Sequence, residues 1–115
     1  VWLMSISFEK LRITLKSVGV PVTRDKAEKG TDYPYIVYSN VSQGKKMASS
    51  KVHRRMPYYQ ISFYTTGTEK DLIALENALE EAGIPYTDFV GIQGDENDDT
   101  VTNFYTYVRC IEDGK

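Results

Sequence analysis

Apolar residues recur along this chain at two spacings, and together they predict two helices and five strands. Phe8, Leu11, Leu15 and Val18 fall at the i, i+3, i+7 and i+10 positions of one helix face, with Ile13 and Thr14 flanking it. Ser5 or Ser7 can cap the start of this helix, α1. Gly19 follows its last periodic residue and Pro21 comes two later, an order that stops a helix with a left-handed residue and then withholds a donor. A second stripe, Leu72, Leu75, Leu79 and Ala82, predicts α2, with Thr68 as its cap, Asp71 as a short capping-box acid, and Gly83 and Pro85 at its end. The two exits, LKSVGVPVT at 15–23 and LEEAGIPYT at 79–87, nearly coincide. Shared stop chemistry and an internal duplication both account for the match, and both predict a helix turning directly into a strand.

Alternation with period two marks the strands. Asp32 to Val41 (β2) sets Tyr33, Tyr35 and Val37 against Ile36 and Tyr38, with Pro34 suited to a strand start. Met56 to Thr66 (β3) sets Tyr59, Ile61 and Phe63 inward and Tyr58, Gln60, Ser62 and Tyr64 outward. Val101 to Ile111 (β5) sets Phe104, Val108 and Cys110 against Tyr105, Tyr107 and Arg109. Short strands at Val20 to Thr23 (β1) and Tyr86 to Ile92 (β4) complete the order α1-β1-β2-β3-α2-β4-β5. Runs of strands with only two helices predict an α+β fold: a mostly antiparallel sheet of four to five strands with both helices on one face. The order β3-α2-β4 leaves room for one crossover of the ferredoxin-like kind.

If the helices cover Tyr59, Ile61, Phe63, Phe104 and Val108, the other face presents Tyr58, Tyr64, Tyr105 and Tyr107 among Gln60, Ser62 and Arg109. Tyrosine and arginine are enriched where proteins meet partners, because a large ring with a polar tip gives contact area at low entropic cost. Tyrosine is also a good strand former, so a plain solvated face is the competing reading. Charge adds a second asymmetry. The segment 43–55 holds Lys45, Lys46, Lys51, Arg54 and Arg55 with His53 and no acid, whereas Asp95, Glu96, Asp98 and Asp99 crowd around Asn97. Each joins two predicted strands, and both 43–55 and 93–100 are expected as mobile charged loops or hairpin tips, the alternative to a functional arm being a solvated loop.

The length of 115 residues bounds a single domain, 1–115, that hides about 65% of its unfolded surface, with residues 1–4 set apart as non-native or disordered. Fourteen basic and 16 acidic residues leave a net charge of −2, so charge does not mark the whole domain for nucleic acid. Cys110 is the single cysteine, which excludes an intramolecular disulfide and a thiolate metal cluster and fits a reducing compartment. No apolar run approaches the ~18–20 residues of a membrane span, and Val1 to Met4 is too short and uncharged for a signal peptide, so the chain is expected to stay where it is made.

Catalytic chemistry finds little footing. Asp95, Asn97 and Asp99 match positions one, three and five of a calcium loop, but Thr100 stands where the bend needs glycine and Thr106 where a bidentate Glu is required. His53 is the lone histidine and lies among cations, so it reads as a loop residue rather than a ligand or a base. Cys110 alternates with Phe104 and Val108 and reads as a packed thiol. No glycine-rich phosphate loop occurs, and the basic segment carries no interleaved aromatics for stacking single strands. The expectation is a non-enzyme with no catalytic, cofactor or metal residues.

LKSVGVPV at 15–22, YPYIVY at 33–38, the basic linker into YYQISFY at 58–64, and the helix from Glu69 to Gly83 resemble small proteins of the head-to-tail gene block of long-tailed bacteriophages and prophages: tail terminator, tail completion and head-tail joining proteins. The resemblance spans Phe8 to Ile111 and is one of element order and phrase, with no catalytic motif to transfer. It implies an α+β subunit of the virion, present in the host cytoplasm during assembly. It further implies a self-assembled ring, expected as a hexamer, that caps the tail tube, docks to the head connector and lets DNA pass through its lumen without sequence-specific binding. The competing class is a small ferredoxin-like regulatory or ligand-binding module with a metabolite in its helix-sheet cleft.

Overall fold

The structure of the chain, a computed structural model, describes residues 6–48 and 51–110, and of 43–48 and 51–55 it describes the backbone. Its elements follow the expected order: α1 (Phe8–Lys16), β1 (Val22–Arg24), β2 (Tyr35–Ala48), β3 (Lys51–Thr65), a 3₁₀ turn (Glu69–Leu72) leading into α2 (Ile73–Glu81), β4 (Val90–Gln93) and β5 (Thr102–Arg109). The five strands form one sheet in the order β1-β2-β3-β5-β4. Only β1 and β2 pair in parallel; the other three pairings are antiparallel. Since β3 and β4 both run antiparallel to β5, they are parallel to each other, and α2 makes the crossover between them.

Both helices pack on one face. Leu11 and Leu15 of α1 and Leu75 and Leu79 of α2 join Ile36, Tyr38, Tyr59, Ile61, Phe63, Val108 and Cys110 of the sheet in one buried cluster. These are the inward positions that alternation predicts, and they fill the space between helices and sheet. None of the helices among the described residues is long and apolar enough to cross a membrane.

Local chemistry explains the ends of the helices. Ser7 caps α1, its hydroxyl accepting from the Lys10 N–H at 3.1 Å. Gly19 and Gly83 sit at φ +94° and +72°, the left-handed conformation that both helix stops require. No atom lies within 4 Å of where a Cβ on Gly83 would stand, so a side chain there meets backbone strain alone. Gly83→Val is therefore expected to cost about 1 kcal/mol or more. A variant that melts at the wild-type temperature would remove this assignment.

Three expectations need correction. Only the first helix turns directly into a strand. After Gly83 the chain runs beside β5 without regular pairing, held at Thr87, whose N–H donates to the Tyr107 carbonyl at 3.2 Å, and β4 begins only at Val90. Asp71 is not a capping-box acid either: its carboxylate accepts from the Thr65 hydroxyl at 2.6 Å, which in turn accepts from the Gly67 N–H, pinning the end of β3 to the start of the next turn. Lastly, the ladder between β2 and β3 does not stop near Val41 and Met56. It continues through Lys45↔Arg55 and Lys46↔Arg54 to Ala48↔Lys51, so the basic segment is the far half of a long β-hairpin rather than an unstructured connection.

Candidate interaction surface

The sheet face turned away from the helices gathers the tyrosines that alternation places there. Tyr58 and Tyr107 stack at 5.2 Å between ring centres, 9° from parallel, and Tyr105 meets Tyr107 edge-on at 5.9 Å. The Arg109 guanidinium lies 4.4 Å over the Tyr58 ring and donates to the Met56 carbonyl at 3.0 Å, fixing the cation on the aromatic face. Register produces this grouping: β3 and β5 set Tyr58 opposite Arg109 and Gln60 opposite Tyr107.

A second stack stands at the other end of the same face. Tyr35 pairs with Tyr64 across β2 and β3, with ring centres 5.0 Å apart, and Tyr33 extends the stack at 5.3 Å. Burial raises the phenols of Tyr35 and Tyr64 above the ordinary tyrosine range. Between this stack and the turn at 25–31 lies an open cleft of about 360 Å³, walled by Asp25, Lys26, Glu28 and Lys29. Small residues lie beside the rings: Ser62 is 5% exposed opposite Tyr105, and Asn103 is 7% exposed opposite Tyr64. Among the described residues the buried Asn103 Oδ1 and Thr23 Oγ1 have no hydrogen-bond partner.

Tyr33 and Tyr35 join the surface only once β2 is registered on β3, which alternation within one strand cannot provide. Val90 and Ile92 of β4 also belong to it, since they pair with Tyr105 and Asn103, and they are 46% and 49% exposed. Val-Gly-Ile is too brief to reveal a face in the sequence. A lone apolar pair is common on surfaces; six tyrosines, two aliphatics and an arginine on one sheet face are not.

The two charge clusters lie toward opposite ends of the sheet. Asp95, Glu96, Asp98 and Asp99 form the β4–β5 connection, next to the end of β3 that carries Thr65, whereas the basic segment is the hairpin tip at the other end of β2 and β3. Two of the acids are used locally. Asp95 accepts from the Asn97 N–H at 2.8 Å, and Asp98 accepts from both the N–H and the hydroxyl of Thr100, which lowers its pKa. Glu96 and Asp99 are exposed. The side chains of Lys45, Lys46, Lys51, His53, Arg54 and Arg55 lie outside the described residues; their backbones form the hairpin.

Cys110 is 1% exposed and its N–H donates to the Pro57 carbonyl at 2.9 Å. Burial pushes its thiol up to about 12, from about 8.5 in an unfolded chain. The folded state then keeps a proton that the unfolded state loses between these values, so the contribution of Cys110 leaves stability unchanged below about pH 8.5 and lowers it as pH rises above that. Comparing wild type with Cys110→Ala, the melting temperature of the wild type is expected to fall more steeply between pH 8.5 and 10. Equal slopes, or native-state alkylation as fast as that of a free thiol, would contradict the burial of this group. Among the described residues no group of three or more His, Cys, Asp or Glu side chains could hold a metal ion.

No protein-family model matches the chain, and neither does any curated protein sequence. Among solved structures it is similar to a chain of the virion of native gene transfer agent (GTA) particle, with a TM-score of 0.64 and 11% identity over 90% of this chain and 89% of that one. At that identity the likeness establishes a shared fold over nearly the whole of both chains.

Proposed function

We propose that this chain is a structural subunit of a phage or prophage virion that assembles into a ring at the head-tail interface, where it terminates or completes the tail and docks it to the head connector. The observation that carries the reading is the end-to-end fold match to a chain of a gene transfer agent virion, which leaves almost nothing of either chain over. The element order and phrases at 15–22, 33–38 and 58–64 support the same family independently.

The surface chemistry agrees with assembly. A ring subunit must present two different patches that fit each other and close. In this reading Tyr58, Tyr64, Tyr105 and Tyr107 supply most of the buried area, while Lys45, Lys46, Lys51, Arg54 and Arg55 of one copy face Asp95, Glu96, Asp98 and Asp99 of its neighbour. The competing module reading needs a helix-sheet cleft for its ligand, and that space is filled by Leu11, Leu15, Leu75, Leu79 and the inward residues of the sheet.

Electron microscopy of the purified protein, alone and mixed with its cognate tail-tube protein, tests the reading. Rings of uniform diameter seated at tube ends are expected. Tubes with bare ends and a field of single particles would remove it.

A further inference from the structure

We infer that the outer edge of β4 is a strand-pairing site for a second copy of this chain, and that the strand it receives is the outer edge of the neighbour's β2 in the far half of the long hairpin. The inference rests on the ring reading and names the main-chain contact that would join successive copies.

The edge of β4 is open in a definite pattern. Gly94 donates to the Val101 carbonyl at 2.8 Å, and in an antiparallel ladder bonded pairs alternate, so Ile92 and Val90 bond to β5 while the N–H and C=O of Gly91 and Gln93 point outward. β4 ends the sheet, and no described strand lies beyond it. Exposed edges are usually blunted by charge, proline or a bulge, because an unpaired row invites another strand. Val90-Gly91-Ile92-Gln93 carries none of these, and Val90 and Ile92 stand about half exposed.

The hairpin is the complementary half. β1 covers β2 only as far as Tyr38, and β5 with Cys110 just beyond it covers β3 only from Pro57 onward, so the ladder from Gly44↔Met56 to Ala48↔Lys51 is a two-stranded ribbon without a described strand on either side. Such a ribbon is marginal in water unless a third strand joins it. Charge selects the partner. β4 is bracketed by Asp88 on one side and Asp95, Glu96, Asp98 and Asp99 on the other, whereas the ribbon carries Lys45, Lys46, Lys51, Arg54 and Arg55 and no acid.

The direction of the strands also fits. β4 runs opposite to β2, so copies repeating in one sense around a ring would pair β4 with the next β2 in antiparallel fashion and continue the sheet head to tail. Through the register β4 lies level with the start of β2, Val90 aligning by way of Tyr105 and Ser62 with Val37. Reaching the hairpin therefore demands a step along the strand between copies, the shear by which closed sheets tilt their strands by about 35–45°.

Hydrogen exchange and solution mass, measured on the same sample, test this. In the assembled protein the amides of Gly91 and Gln93 are expected to exchange at least tenfold more slowly than in protein diluted to monomer. Gln93→Pro removes one outward donor while sparing the ladder to β5, and it should raise the concentration at which oligomers form by tenfold or more. Ile92→Lys, which charges the edge without touching the backbone, should do the same if the proline variant fails to fold. Oligomers that persist unchanged in both variants, with Gly91 and Gln93 exchanging freely, would overturn the edge pairing and leave the ring reading standing. A wild type that stays monomeric at every concentration and beside tail-tube protein would overturn both.

Discussion

Phe63→Ala is expected to destabilise the domain by about 3–5 kcal/mol, the largest effect of any single core substitution considered for this chain. Phe63 is 2% exposed near the end of β3, the central strand of the sheet, directly opposite Ile36 on one side and Phe104 on the other, within the cluster that holds Leu72, Leu75 and Leu79. Truncation removes the transfer free energy of the ring and leaves a cavity whose walls are strands fixed by ladders on both sides, so little collapse can offset it. Leu75→Ala, at 0% exposure on the facing helix, should cost about 2–5 kcal/mol for the same reason. Domains of this kind hold about 5–15 kcal/mol in total, so either change takes a large share. Denaturant titration followed by two probes measures it. Losses below about 0.5 kcal/mol would mean that β3 presents its other face to the helices.

The second large effect concerns charge. Reversing Lys45, Lys46 and Lys51 to Glu is expected to weaken self-assembly by tenfold or more, and reversing Asp95, Asp98 and Asp99 to Lys in the same chain should partly restore it. One exposed ion pair is worth only about 0–1 kcal/mol, so a single contact could not hold two copies together. On the ring reading, several per interface, repeated around a closed ring, would set register and partner choice. Salt should act in the same direction, because exposed charges lose their reach beyond about 8 Å at physiological ionic strength. If the first triple change spares assembly but abolishes DNA retention in finished particles, the hairpin faces phosphates in the lumen instead.

Much of this architecture was legible from side-chain spacing, and the limits of that legibility are physical. Leu11, Leu15, Leu75 and Leu79 declare their faces because burial demands period 3.6, and Tyr59, Ile61 and Phe63 because it demands period two. The glycines at 19 and 83 declare the helix stops because few other residues tolerate a positive φ. The outer half of the hairpin was hidden for the converse reason. Gln43 to Arg55 shows no apolar alternation from which a strand could be read, although its described backbone pairs from Gln43↔Pro57 to Ala48↔Lys51 with one irregularity between Lys46 and Met47. Asp71 fits the capping pattern because it stands three residues after Thr68, whereas the group it bonds is Thr65, six residues back at the end of β3, a contact that depends on where the strand stops. The strand order, and with it the meeting of Tyr35 with Tyr64 and of Val90 with Tyr105, depends on pairings between distant segments that no single strand records.

Among the surface residues, the tyrosines of β3 and β5 could be placed on their face, but their stacking depends on cross-strand register. The opposite signs of 43–55 and 95–99 were plain in the sequence, whereas their positions at opposite ends of the sheet follow from topology alone. On the ring reading proposed above, that separation lets the charges of one copy meet the opposite charges of the next.

Sedimentation of the purified protein across a wide concentration range tests the central claim most directly. The ring reading predicts a closed species of one defined subunit number, expected as six copies, that forms with rising concentration or on contact with tail-tube protein and loosens in high salt. A chain that sediments as a monomer or a two-fold dimer under all these conditions would contradict it.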